Sequence, residues 1–78
     1  MKERKYEVVL VRSKHNFYEE YNEGTYKSIK QAKDLANELA GRLTPLERKY
    51  NTVEVRTNFN EYDYEVVYQT NGDKGGYL

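Results

Sequence analysis

Along this chain the spacing of apolar residues moves from period two to the three-and-four period of a helix and back again. Tyr6-Glu7-Val8-Val9-Leu10-Val11 is rich in β-branched and aromatic residues, is short and carries no helix cap, which predicts a strand. From Ser28 onward, Ile29, Ala32, Leu35, Ala36, Leu39, Ala40 and Leu43 fall on one helical stripe. Ser28 followed by Gln31 forms a capping-box pattern at its start. Gly41 weakens the last turn, and Thr44 before Pro45 marks a break, because proline restricts the residue that precedes it. Glu47, three residues after Thr44, predicts a second capped turn reaching Arg48 or Lys49. Thr52–Thr57 and Tyr62–Tyr68 then alternate with period two around Asn58-Phe59-Asn60-Glu61 and predict an antiparallel hairpin. Its simplest register sets Val55 opposite Tyr64 and Arg56 opposite Asp63.

Residues 13–27 are too many for a structureless connection in so small a fold. Phe17-Tyr18-Glu19-Glu20-Tyr21, followed by Asn22-Glu23-Gly24, reads as a strand folding back on the first, with Ser13-Lys14-His15-Asn16 as the turn. The fold class that follows is α+β: a small antiparallel-rich sheet, β-β-α-β-β, with one amphipathic helix across one face and the last strand beside the first. Residues 1–69 form the single domain. From Thr70 the chain is glycine-rich and aperiodic, which predicts a flexible C-terminal tail over 70–78.

Composition sharpens this picture. Seventy-eight residues hold one core, and with 37% hydrophobic residues, nine tyrosines and no tryptophan that core is thin and partly built from rings with polar tips. With no cysteine there is no disulfide to reinforce it and little prospect of structural zinc, so self-association is an option for stability. No stretch is long and apolar enough for a membrane span, and the charged start leads into a strand instead of a signal-peptide core, which points to a soluble cytoplasmic protein. The 13 basic and 13 acidic residues cancel. They are segregated: residues 1–16 and 27–49 are net basic, 17–26 and 50–78 net acidic.

Few residues suggest chemistry. Tyr62, Tyr64 and Tyr68 could stack nucleic-acid bases only if Asp63 and Glu65 turned toward the helix-packed core, a costly burial of carboxylates, so the tyrosines are expected to face inward. Lys27, Lys30 and Lys33 near the helix start could touch phosphates, but Asp34 and Glu38 dilute them, and a solvated face with a Lys30 to Asp34 ion pair is the commoner arrangement. Glu19, Glu20 and Glu23 lack the spacing of a calcium loop and fit a charged edge strand. His15, the only histidine, has no second ligand in its neighbourhood, and no phosphate-cradling glycine loop is present. Neither metal nor cofactor nor small-molecule substrate is expected. An enzyme would require a cleft gathering His15 with Glu19 and Glu20.

A surface remains. With Tyr6, Val8 and Leu10 directed at the helix, Val9 and Val11 fall on the open sheet face, joined by Val67 if the first and last strands pair. Glu54, Arg56, Asp63 and Glu65, together with Glu7, would surround them with a mostly acidic rim, an apolar centre with a charged border. The expectation is a non-enzymatic protein-interaction module whose partner is another protein or a second copy of the chain. The alternative is a nucleic-acid-binding accessory protein using Lys27, Lys30 and Lys33. The Lys-, Glu-, Asn- and Tyr-rich composition is similar to that of small accessory or modulator proteins of AT-rich bacteria and their phages.

Overall fold

The computed structural model describes residues 4–14, 16–58 and 63–71. Among these, β1 (Tyr6–Lys14), β2 (Phe17–Tyr26), α1 (Ile29–Gly41), a 3-10 turn (Glu47–Lys49), β3 (Asn51–Asn58) and β4 (Tyr64–Thr70) follow in chain order. The strands make one antiparallel sheet in the spatial order β2-β1-β3-β4, with α1 on one face. The β-β-α-β-β reading and the α+β class hold.

The expected adjacency of first and last strands does not. β1 pairs with β3, and β4 occupies the far edge. Burial explains the order. Val8, Val9 and Val11 of β1 and Val53 and Val55 of β3 are buried on both faces of the sheet taken together, and only central strands are covered that way. β4 keeps Tyr64, Glu65, Val66 and Gln69 exposed and tolerates an edge.

The helix starts where Ser28 Oγ accepts a hydrogen bond from the Gln31 backbone N–H at 3.4 Å. Ala32, Ala36 and Ala40, one turn apart, are fully buried against Val8, Val53 and Val55. With only methyl groups along this seam the helix can lie close to the sheet, and Leu35, Leu39, Tyr6, Leu10, Tyr26, Val67 and Tyr68 close the sides. After the helix, Thr44 and Glu47 complete a reciprocal capping box: the Thr44 N–H donates to Glu47 Oε1 at 2.8 Å, and the Glu47 N–H to Thr44 Oγ1 at 3.2 Å. Asn51 then ties β3 to this turn through Nδ2 to the Glu47 carbonyl at 2.9 Å.

Both outer strands carry a bulge. Val8 pairs with Gly24 and Val9 with Asn22, so Glu23 is an extra residue in β2. Val55 pairs with Tyr68 and Arg56 with Val66, so Val67 is an extra residue in β4. Each bulge reverses which residues face the helix from that point on. The expected pairing of Val55 with Tyr64 and Arg56 with Asp63 is corrected accordingly. Tyr68 faces the helix, where its hydroxyl donates to Asn37 Oδ1 at 2.6 Å, whereas Tyr64 faces away. Glu65 lies opposite Thr57 on the helix side but stays exposed, nearer the start of β4 than Val67 and Tyr68, which pack against the core. Tyr62 and residues 72–78 of the expected tail lie outside the described residues; Thr70 closes β4 and Asn71 is buried.

Candidate functional site

The sheet face opposite α1 displays Tyr18 and Glu20 from β2, Val9 and Val11 from β1, Glu54 and Arg56 from β3, and Tyr64 and Val66 from β4. At its centre Arg56 is only 6% exposed although no helix packs over it. Its Nη1 and Nη2 donate to the two oxygens of Glu20 at 3.1 and 2.7 Å, a bidentate pair, and its Nε donates to Glu54 Oε1 at 2.9 Å. Glu20 and Arg56 stand on β2 and β3, with β1 between them, so the pair spans β1 on the side that carries Val9 and Val11. The Tyr18 hydroxyl donates to Glu20 Oε2 at 2.5 Å, and the Arg56 guanidinium carbon lies 4.3 Å from the Tyr64 ring centroid.

The electrostatics follow from these contacts. Hydrogen bonds from Arg56, and then from Tyr18, hold the Glu20 carboxyl at about 2, below the ordinary carboxylate range. The same carboxylate stabilises the Arg56 cation and, by accepting a hydrogen bond from the Tyr18 hydroxyl, raises the pKa of that hydroxyl. The three groups form one charge-assisted network, and Arg56 is neutralised within the chain.

No family model, curated protein or solved structure matches this chain.

The expected interface residues separate. Val9, Val11, Glu54 and Arg56 do share the open face, but Val9 and Val11 are 4% and 9% exposed and offer almost no apolar surface. Long side chains crossing from β3 to β2 account for that cover. Val67 packs on the helix side because the bulge turns it there, Glu65 belongs to that same side, and Asp63 precedes β4 in an exposed position. On the helix, Lys30 pairs with Asp34 at 2.9 Å, Lys33 lies 5.2 Å from the Tyr68 ring centroid, and Lys27 precedes α1. The acidic cluster of β2 divides: Glu20 serves Arg56, while Glu19, on the other face, accepts from the Tyr21 hydroxyl. His15 lies outside the described residues.

Sequence reasoning missed Tyr18, Glu20, Tyr64 and Val66 as occupants of this face. Alternation places Tyr18 and Glu20 together and Arg56 on the open side. The contact across 36 residues of chain needed the strand order β2-β1-β3, and the outward turn of Tyr64 needed the bulge.

Proposed function

We propose that this chain is a small non-enzymatic interaction module, an accessory or modulator protein of a bacterium or phage, that docks another protein or a second copy of itself on its open sheet face. The observation that supports this reading is the arrangement around Arg56. A buried, internally paired cation is flanked by Tyr18 at 61%, Tyr64 at 49% and Val66 at 39% exposure. Rings held in place by hydrogen bonding or by a guanidinium lose little freedom on docking and bury large area, the features of energetically dominant interface residues. Because Arg56 is already satisfied, a partner covering it need not supply a counter-charge.

Alanine at both Tyr18 and Tyr64 should weaken association by about tenfold or more while leaving the fold intact, since both side chains are largely exposed. Affinity capture from the native cell, paired with light scattering for self-association, measures this. A wild-type chain that is monomeric and captures no protein, or a double variant that binds as wild type does, removes the reading. Val9→Asp is unsuited to the purpose, because Val9 is buried and the variant would act on stability. The nucleic-acid alternative through Lys27, Lys30 and Lys33 has less support, since Lys30 is engaged by a carboxylate and Lys33 by a ring. Salt-dependent binding of DNA or RNA in the same capture would favour it.

A further inference from the structure

We propose a second binding site, for a small aromatic phosphate of the mononucleotide class, near the turn end of the β1–β2 hairpin on the helix side of the sheet. Arg12 and Lys14 continue the phase of Val8 and Leu10 along β1, so they share the helix face, but they lie past the packed core and are exposed. Phe17 is the cross-strand partner of Lys14 and joins them on that face. The three border a cleft of about 270 Å³ that opens to solvent.

Two properties define the ligand. The first is charge. Lys30, Arg42 and Arg56 each contact a carboxylate, whereas among the described residues Arg12 and Lys14 form no ion pair. Each instead sits near a ring: Arg12 Cζ is 6.0 Å from the Phe17 centroid, and Lys14 Nζ is 4.8 Å from that of Tyr50. Tyr50 is held against β1 by its carbonyl, which accepts from the Ser13 N–H at 2.7 Å. Lys14, with no carboxylate partner among the described residues, and Arg12, which also hydrogen-bonds the Tyr21 hydroxyl that donates to Glu19, put two cations on one rim, and a guanidinium beside an ammonium suits phosphate oxygens. The second is shape. Phe17 is 41% exposed, which leaves ring surface on which a flat base can stack.

Size and surroundings favour a short ligand. The cleft falls just below the roughly 300–1,000 Å³ typical of small-molecule sites. Glu19 stands opposite Arg12 on the same face, so a phosphate chain running along β2 would meet a carboxylate. A single base stacked on Phe17 with its phosphate at the Lys14 end of the rim lies one same-face cross-strand pair away from that carboxylate.

Amide NMR titrations of the full chain with adenosine monophosphate, adenosine, inorganic phosphate and a single-stranded oligothymidylate test the site. Adenosine monophosphate should shift the Arg12, Lys14 and Phe17 resonances saturably, with adenosine and phosphate each binding about tenfold more weakly or worse. Lys14→Gln and Phe17→Leu should each weaken the nucleotide by about tenfold with the remaining spectrum unchanged, since both side chains are exposed. Absence of saturable shifts, or variants that bind as the parent does, overturns the proposal. Tighter binding of the oligothymidylate than of the mononucleotide overturns it as well, by assigning the cleft to a strand.

Discussion

Arg56 and Thr57 are neighbours on β3 that point to opposite faces and meet burial in opposite ways. Arg56 enters its low-exposure site with both carboxylate partners in place. Thr57 is 1% exposed, and its Oγ1 has no hydrogen-bond partner among the described residues. An unsatisfied buried hydroxyl carries a desolvation cost without a compensating bond. Thr57→Val, which keeps the shape and removes the hydroxyl, should therefore stabilise the fold by about 1 kcal/mol, read as a higher thermal midpoint. Glu20 supplies a second test at this scale. Its folded carboxyl is depressed from 4.5 to about 2, so its contribution is complete above the unfolded value and disappears as pH falls through that window. The Glu20 side chain is 35% exposed, and solvent screening reduces the effect to about 1 kcal/mol. Urea unfolding between neutral and strongly acidic pH should show this loss in the parent chain and not in Glu20→Gln.

Among the elements, the close fit of α1 and β2 makes the sharpest demand on sequence. A Cβ added at Gly24 would lie 3.1 Å from Tyr26 Cε2, 3.2 Å from Tyr26 Oη and 3.4 Å from Leu35 Cδ2. Gly24→Ala should cost about 1 kcal/mol in chemical unfolding, because the Tyr26 ring, packed at the side of the core, must shift by a few tenths of an ångström to admit the methyl. The elements were largely legible: the seven-position stripe, the Ser28 cap, the Thr44 and Glu47 box and the strands all follow from local rules acting on neighbouring residues. What stayed hidden depends on pairing. Nothing in Tyr64-Glu65-Val66-Val67-Tyr68 announces that Val67 is an extra residue, since the run alternates well enough to suggest one face for every tyrosine. The candidate site shared that fate. Arg56, Glu54, Val9 and Val11 were placed on the correct face, but whether Val9 and Val11 are accessible depends on an arginine reaching across a strand.

For the whole molecule, the segregated charges acquire a geometry. The two acidic segments, 17–26 and 50–78, supply Glu20 and Glu54, and they meet around a single arginine instead of forming an acidic rim. The basic residues Arg12 and Lys14 lie on the other face, so the two proposed sites are separated by the sheet itself and each can be removed without the other. Among the described residues no helix is long and apolar enough to cross a membrane. The core is built from alanines and valines, which suits a sheet whose second face is covered mainly by its own polar side chains and rings. The bulges in the two outer strands give this architecture a particular evolutionary freedom. β1 and β3 pair without interruption, so their phase is fixed by the core, while β2 and β4 each contain a point at which one residue can be lost without disturbing the pairing on either side. Loss of a single codon at Glu23 or Val67 would remove the extra residue and leave every other pairing in place, so the ladder would become regular while the tyrosines on each face stay where they are.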